Sequence, residues 1–186
     1  MVQTATNTAL ELTQQWLEEV VVGMNLCPFA KPVLKDNSIH YAVTAQSDWS
    51  ELSTFFLEEL TRIAAVEEQQ ISTSLLIIPQ GLQDFYDYLD FVSDCEDLIK
   101  KADLTDQFQL ASFHPRYIFA QVDPDDVSHW TNRSPFPIVH IIREQQMSRV
   151  LEKHPNPDSI AQRNIALFQE MGKDALIARF PHFKQQ

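Results

Sequence analysis

The sequence predicts an α/β fold, with residues 1–186 forming a single domain of about four strands in a mostly parallel sheet with flanking helices. Segments with helical spacing of apolar residues alternate along the chain with short apolar runs of strand length. A length of 186 residues, of which 44% are apolar, is enough for one sizeable core. Such alternation favours parallel strands joined by right-handed crossovers, with helices on one or both faces of the sheet. Two domains are the less favoured alternative, and the strand order stays open.

The first half of the chain is predicted to contain two helices and two strands. Apolar residues at helical spacing predict a helix over residues 8–22, which Gly23 would end as its C′ residue. Alternating apolar residues predict a strand over 39–44. An aspartate N-cap and an apolar stripe predict a helix over 48–69, and a continuous apolar run predicts a strand over 74–79.

The second half is predicted to contain a capped helix, two strands, a short helical turn and a final helix. Asp84 would cap a helix whose inward positions are Phe85, Tyr88, Val92, Cys95 and Ile99. Apolar runs predict strands over 108–113 and 138–142. Asp123 and Pro124 would start a short turn, and residues 156–158, Asn-Pro-Asp, would start the last helix.

Composition excludes several classes of function. The chain has 14 Lys+Arg against 26 Asp+Glu, a formal net charge of −12, without a basic stripe, which disfavours a nucleic-acid partner. Its apolar runs are too short to span a membrane and its N-terminus lacks a signal pattern, so we expect a cytoplasmic protein. Two cysteines make neither a disulfide framework nor a Cys₄ zinc site, and three glycines allow no dinucleotide-binding or P-loop motif. The cofactor and the oligomeric state stay unknown.

Three segments would meet at one edge of the sheet if the second, third and fourth strands run parallel. Gln80–Gly81, His114–Arg116 and Arg143–Glu144 each follow one of these predicted strands. Open α/β sheets bind ligands at the carboxyl ends of their strands. The sequence therefore predicts a ligand site at this edge.

Cys27 is a candidate nucleophile or redox thiol. It lies in NLCPFA, and Pro28 suits the first position of a helical turn, which would make Cys27 an N-cap. A helix N-terminus lowers the pKa of a thiol, whereas the negative end of the preceding helix would raise it. The alternative is a small buried side chain in a tight apolar loop. Cys95 shares the spacing of the third helix and is predicted to be a core residue.

Two histidines are candidates for different roles. His114 follows a strand end, where it would act as a general base or would hold its loop by binding a backbone carbonyl. His140 lies in the fourth predicted strand and is expected to be buried, neutral and hydrogen-bonded. A helical interpretation would place His140 over Glu144 at a metal-binding spacing, but the β-branched run favours a strand.

Three arginines, Arg116, Arg133 and Arg143, lie next to the predicted strand ends or in the adjoining loop. Guanidinium groups bind carboxylate or phosphate bidentately, so these arginines could hold an anionic small molecule. The alternative is pairing with acids nearby in sequence, namely Asp125, Asp126, Glu144 or Glu152. Asn132 and Ser134 would brace the turn before Pro135, and Trp130 would cover a pocket or anchor its loop. The catalytic candidates are Cys27 and His114; the ligand-binding candidates are Arg116, Asn132, Arg133, Ser134, His140, Arg143 and Glu144.

The stretches NLCPFAKP, FHPRYIFA and NRSPFPIVHIIRE together resemble an uncharacterised bacterial family, a domain of unknown function. The resemblance covers nearly the whole chain and brings no activity with it. It implies that the chain's motif residues include Cys27, Pro28, His114, Pro115, Asn132, Arg133, Ser134, Pro135, His140, Arg143 and Glu144.

Two functions are compatible with these residues. The first is an enzyme in which Arg133 and Arg143 hold a small anionic metabolite, His114 transfers a proton and Cys27 is the nucleophile or redox thiol. The second is a non-catalytic module that binds a ligand or a protein, with the segment 172–183 docking on a partner or a second copy. Metal binding through His114, His140 and Glu144 is a third hypothesis, with fewer supporting features.

Overall fold

The computed structural model describes residues 2–152, 156–157, 159–181 and 183. Helices cover both faces of one four-stranded sheet. The strands are β1 (Ile39–Val43), β2 (Thr73–Ile77), β3 (Phe108–Phe113) and β4 (Ile138–Arg143). The helices are α1 (Val2–Trp16), α2 (Ala30–Lys35), α3 (Trp49–Ala64), α4 (Phe85–Lys101), α5 (Glu144–Glu152) and α6 (Ser159–Arg179), the last of which is interrupted by a kink at the non-helical Gly172. A π-helical segment (Leu17–Val22) extends α1, and a 3₁₀ segment (Val127–Asn132) precedes β4.

The sheet is mixed, so the expectation of a mostly parallel sheet is wrong. Its order is β1-β2-β4-β3, in which β1 and β2 are parallel and β4 is antiparallel to both of its neighbours. Between β3 and β4 the chain contains a short 3₁₀ segment and no long helix. A parallel pairing requires a long crossover, usually a helix, so this connection returns the chain antiparallel.

The reversed direction of β4 divides the predicted site. Strands β1, β2 and β3 point the same way, because β2 and β3 are both antiparallel to β4. Gln80–Gly81 and His114–Arg116 therefore leave the edge at which β4 begins, and Arg143–Glu144 leaves the opposite edge. The expected meeting of all three segments at one edge is wrong.

On one face of the sheet, α3 and α4 cover the apolar side chains of every second strand position. Asp48 caps α3 by accepting hydrogen bonds from the backbone N–H groups of Ser50 and Glu51 at 2.9 and 3.3 Å. Asp84 caps α4 in the same way, as the sequence predicts. Cys95 is fully buried in this core, and its predicted place on the inner face of α4 is confirmed.

The other face is covered by α1 with its π-helical extension and by α6. Their core includes Trp16, Leu75, Ile138 and Phe168, all buried. Helix α1 starts before the predicted residue 8, and it ends at the predicted position only because the π-helical segment continues it to Val22. None of the helices in the described part of the chain is long and apolar enough to cross a membrane.

Gly23 is required by a close approach, not by a left-handed conformation. Gly23 ends the helix as predicted, but as its C-cap residue with a φ of −62° and not as a left-handed C′ residue, and the positive φ, 54°, is adopted by Asn25. A Cβ atom on Gly23 would lie 2.4 Å from the carbonyl oxygen of Glu19 and 2.8 Å from Nη2 of Arg179. The missing side chain thus lets Arg179 reach that carbonyl.

Several helix boundaries in the structure differ from the predicted ones. Helix α3 ends at Ala64 instead of near residue 69. Asp123 and Pro124 start a short turn as predicted, in which the carboxylate of Asp123 accepts from the N–H of Asp125 at 2.9 Å, and the 3₁₀ segment that follows has its own N-cap, Asp126. Two helices, α2 and α5, were not predicted. Helix α6 begins at Ser159, while Asp158 of the predicted start lies outside the described residues.

The C-terminal segment packs on its own chain. In the segment 172–183, whose residue 182 lies outside the described part, Leu176 of α6 and the following Phe180 and Phe183 are buried in the core on this face of the sheet. The rings of Phe183 and Trp130 lie 5.2 Å apart. Trp130 therefore anchors its loop to the core, which resolves the two alternatives for this residue.

Candidate functional site

A cavity of about 160 Å³ lies between the sheet, α2 and α5. Its floor consists of side chains from β1, β2 and β4, namely Ile39, Thr73, Leu75, His140 and Ile142. Thr73 starts β2 and Ile142 is next to the end of β4. The cavity therefore lies at the edge opposite to the one at which His114 leaves the sheet.

The walls of the cavity are mostly apolar. They come from Leu17, from residues 27–30, from Pro32 and Val33, and from Gln146, Met147 and Val150 of α5. Of the fifteen described residues that line it, four have polar side-chain atoms (Cys27, Thr73, His140 and Gln146), and none of the fifteen is an acid, a lysine or an arginine. Such a surface suits a molecule with little charge.

Cys27 reaches the cavity from the turn before α2. A turn begins at Pro28 as expected, and the carbonyl of Cys27 accepts a hydrogen bond from the N–H of Ala30 at 3.1 Å. The N-cap of α2 is Phe29, however, so the prediction that Cys27 is an N-cap is wrong. Burial raises the pKa of the Cys27 thiol, and hydrogen bonds from the backbone N–H groups of Phe29 and Ala30 offset only part of that rise. The net direction is upward, and its main cause is burial, not the end of the preceding helix.

His140 contributes an imidazole to the cavity floor. Its Nε2 lies 2.5 Å from Oγ1 of Thr73, whose hydroxyl donates its one proton to the carbonyl of Ile141 at 2.7 Å. Nε2 must therefore carry a proton and donate it to Thr73, which leaves Nδ1 as the acceptor. No described residue donates a hydrogen bond to Nδ1. A ligand in the cavity would find a hydrogen-bond acceptor there.

Both reactive side chains of the cavity are uncharged near neutral pH. Burial lowers the pKa of His140 to about 4, and it raises the pKa of the Cys27 thiol. A thiolate–imidazolium pair would require the opposite shifts. The cavity thus offers a neutral thiol and a neutral imidazole, which accept or donate hydrogen bonds without bringing a charge to the ligand.

His114 is a structural histidine of the α4 face. It is fully buried between the rings of Phe85 and Tyr88, with ring centroids 5.3 and 5.0 Å away. Its Nε2 donates to the carbonyl of Leu82 at 3.0 Å, and its Nδ1 accepts from the N–H of Arg116 at 3.0 Å. Burial lowers the pKa of His114 to about 4. Since both nitrogens are occupied, this geometry favours the loop-holding role of the two left open by the sequence.

Arg143 caps the carboxyl end of α3. Its Nη2 donates to the carbonyls of Ile63 and Val66 at 2.7 and 2.8 Å, and its Nε donates to that of Ile71 at 2.9 Å. Its guanidinium also lies over the ring of Phe108. Glu144 starts α5, and its N–H donates to the carbonyl of Gln107 at 2.9 Å. Arg143 and Glu144 are thus not brought to the other predicted arginines.

The other ligand-binding candidates lie in two neighbouring loops at the edge where β4 begins. They are Arg116, Asn132, Arg133 and Ser134. The N–H of His114 donates to the carbonyl of Asn132 at 3.2 Å, which joins the loop of Arg116 to that of Arg133. The amide of Asn132 donates to the carbonyl of Ser112 at 3.4 Å. Ser134 is buried, and its hydroxyl donates to the carbonyl of Phe136 at 2.6 Å, so both polar side chains brace this turn.

Several residues that the structure places in the cavity or in a polar cluster have no distinguishing sequence pattern. Thr73 and Gln146 line the cavity, but a threonine at a strand start and a glutamine on an unpredicted helix have no distinguishing pattern. A second polar cluster lies beneath α3, where the buried carboxylate of Glu59 accepts hydrogen bonds from Nδ1 of His40 at 2.6 Å and from Ser74 at 2.5 Å. Arg62 contacts its other oxygen at 3.1 Å. This cluster ties α3 to β1 and β2.

The structure does not support the hypothesis that His114, His140 and Glu144 bind a metal ion. His140 faces the cavity, whereas His114 packs against α4 on the other side of the sheet. Within the described part of the chain, no group of three His, Cys, Asp or Glu side chains is arranged to hold a metal ion. The predicted ligands are therefore not brought together.

The structure is that of a mixed α/β protein with a small, mainly apolar cavity. The chain belongs to the family DUF1415, described as a protein of unknown function, whose model matches residues 8–178. No curated protein and no solved structure matches the chain. The resemblance found in the three sequence stretches is thus confirmed at the level of an uncharacterised family.

Proposed function

We propose that this protein binds a small, uncharged and mostly apolar molecule in the cavity between α2, α5 and the sheet. One observation supports this function above the others: an apolar cavity whose polar contacts, including Cys27 and His140, are all neutral. A cavity of about 160 Å³ accommodates a molecule of about the size of benzene. Nδ1 of His140 would accept a hydrogen bond from the ligand and so orient it.

This proposal narrows the non-catalytic alternative drawn from the sequence. The anionic metabolite is less well supported at this cavity, because none of the described lining residues is an arginine or a lysine. An anion that entered the cavity would lose its hydration without gaining a cationic partner. The neutral ligand has no such cost.

The test compares two compounds of nearly equal size, neutral benzyl alcohol and anionic benzoate. We expect benzyl alcohol to shift the amide NMR signals of α2 and α5 in a saturable way, and benzoate to bind at least about tenfold more weakly. Met147→Trp should fill the cavity and abolish the shifts. Gln145→Trp, an exposed position on the same helix, is the matched control and should leave them intact. Tighter binding of benzoate, or unchanged binding in Met147→Trp, contradicts the proposal.

A thiol-dependent enzyme is the second candidate, because Cys27 and His140 line the same cavity. In this function Sγ of Cys27 attacks the carbonyl carbon of a neutral ester while Nδ1 of His140 accepts the thiol proton. The ester C–O bond then breaks, Nδ1 returns the proton to the departing oxygen, and the alcohol or phenol leaves a thioester on Cys27. Water then hydrolyses the thioester. The neutral thiol explains why such an enzyme would need His140 as its base.

Mass spectrometry after exposure to p-nitrophenyl acetate tests this second function. Transient acetylation of Cys27 with release of nitrophenol, lost in His140→Gln, would support an enzyme. If Cys27 stays unmodified while benzyl alcohol still binds, the enzyme is excluded for this ester and the binding function stands.

A further inference from the structure

The edge of the sheet opposite the cavity holds two arginines, Arg116 and Arg133, that form no ion pair with any acid of the described residues. Arg116 and Arg133 lie in loops that His114 joins: the N–H of His114 donates to the carbonyl of Asn132 at 3.2 Å, and its Nδ1 accepts from the N–H of Arg116 at 3.0 Å. The two arginine backbones are therefore held close to one histidine. We propose that Arg116 and Arg133 bind an oxyanion group, a carboxylate or a phosphate, of a small molecule.

Arg133 has a buried donor that the described residues leave unsatisfied. Its Nε atom is inaccessible to solvent and has no hydrogen-bond partner. Its guanidinium carbon lies 5.3 Å from the centre of the Trp130 ring, and Trp130 is itself buried against Phe183. Stacking on a rigid ring holds the guanidinium in place. Because Nε is inaccessible, an external oxyanion would bind the terminal Nη groups of Arg133, which form no hydrogen bond with the described residues.

The acids that the sequence suggested as partners are occupied elsewhere. The carboxylate of Asp126 accepts from the N–H of Ser128 at 2.7 Å, and Asp125 pairs with Lys173 at 3.7 Å. Among the residues that the structure describes, no Asp or Glu forms an ion pair with Arg116 or Arg133. In a chain with a net charge of −12, two cations left unpaired at one edge are available for an external anion.

The surroundings of the two arginines favour negative charge. His114 lies between their loops, and the positive charges of Arg116 and Arg133 add to the burial that lowers its pKa. Asp84 interacts electrostatically with Arg116, but the pKa of Asp84 is lowered mainly by the N–H groups of Tyr86 and Asp87 and only to a smaller extent by Arg116. Its Oδ1 caps α4, so it remains in place at the N-terminus of that helix.

This anion site is independent of the proposed neutral-ligand cavity. The cavity lies at the start of β2 and the end of β4, and the arginines lie at the start of β4 and the end of β3. Neither arginine lines the cavity. Failure of one proposal would leave the other unaffected.

The side-chain N–H signal of Arg133 in a ¹H–¹⁵N NMR spectrum tests the site directly. Phosphate and acetate are titrated into the wild-type protein at constant ionic strength, with chloride as the balancing anion. We expect a saturable shift of the Arg133 Nε–H signal with at least one of the two oxyanions. The control signal is the Nε–H of Arg149, an exposed arginine already paired with Glu68, and it should stay unchanged.

Variants then separate the two arginines from general charge effects. Arg133→Lys and Arg116→Gln should each weaken binding at least about tenfold, as expected for the loss of a charge-assisted hydrogen bond, while Arg149→Gln should not. Tighter binding of phosphate would indicate a phosphorylated ligand, and tighter binding of acetate a carboxylic acid. No saturable shift of Arg133, or equal responses of Arg133 and Arg149, overturns the proposal, and this outcome requires only the wild-type protein.

Discussion

The hydroxyl of Thr73 connects His140 to the backbone of the neighbouring strand. It accepts a hydrogen bond from Nε2 of His140 at 2.5 Å and donates one to the carbonyl of Ile141 at 2.7 Å. The tautomer of His140 is therefore set by a residue of β2, a strand that is distant in sequence from β4. The acceptor nitrogen at the cavity depends on this one hydroxyl group.

Thr73→Val should remove the hydroxyl group that sets the tautomer of His140 while conserving the shape of the side chain. We expect Nε2 of His140 to lose its acceptor, which costs about 1–3 kcal/mol of unfolding free energy. The ¹⁵N shifts of the imidazole should show a mixture of tautomers instead of the Nε2-protonated form alone. Thr13→Val, at another buried threonine whose hydroxyl donates to Ala9, is the control and should leave those shifts unchanged. Unchanged imidazole shifts in Thr73→Val would contradict the assignment.

Alkylation of Cys27 should be slow at neutral pH. Because burial raises the pKa of this thiol, we expect the iodoacetamide rate to rise with a midpoint above that of a free thiol, about 8.5. The measurement uses Cys95→Ala, so that only Cys27 reports. His140→Gln should not raise the midpoint, since neutral His140 does not form an ion pair that would stabilise the thiolate. A midpoint below about 8.5 would mean that the site stabilises the thiolate, and it would support the thiol-dependent enzyme over the binding function.

Stability should fall as the solution is made acidic. The pKa of both His114 and His140 is about 4 in the folded protein and about 6.5 in an unfolded chain. The unfolded state therefore binds more protons below about pH 6.5, so the stability is fully present above that pH and is lost as the pH falls towards about 4.

The size of this loss can be tested at His140. For one such histidine we expect a loss on the order of 2 kcal/mol between about pH 7 and about pH 5. Urea unfolding at the two pH values measures it, and His140→Gln should lose less stability than the wild type. Equal losses in the two proteins would show that His140 accepts a proton in the folded state near its ordinary pKa.

Arg143 should matter for stability and not for ligand binding. Arg143→Ala removes donors to three backbone carbonyls that close the end of α3, so we expect a loss of about 3 kcal/mol or more. Arg149→Ala, which removes an exposed ion pair with Glu68, should cost less than about 1 kcal/mol. Denaturant unfolding compares the two. Similar losses in both variants would contradict the capping role.

The sequence predicted the strands of this fold better than their arrangement. The apolar runs placed β3 at its observed bounds and the other three strands within about two residues of theirs. Local patterns contain no information on which strands are neighbours, and the antiparallel direction of β4 follows from the connection before it. Helix α5 was missed because it starts directly after β4, so no loop signal separates the two elements.

The sequence identified residues of the candidate site better than it predicted how they are arranged. Cys27 and His140 were both predicted as site residues, but the cavity that they share is formed by α2 and α5. Neither helix was predicted, because prolines near residue 30 argue against α2 and because no loop separates α5 from β4. His114 and Arg143 have the residue types of an active site, yet their hydrogen bonds are made to backbone carbonyls of distant segments. Such partners cannot be read from a sequence.

The central position of β4 has a consequence for the newly made chain. β2 and β3 are joined only through β4, which leaves the ribosome after α4, β3 and the 3₁₀ segment. Until residue 143 has emerged, β3 has no described partner strand and β2 has one open side, each with unpaired backbone groups that can bind other chains. Slow translation before β4 would lengthen this exposure, so aggregation during synthesis should depend on how quickly residues 114–143 are made.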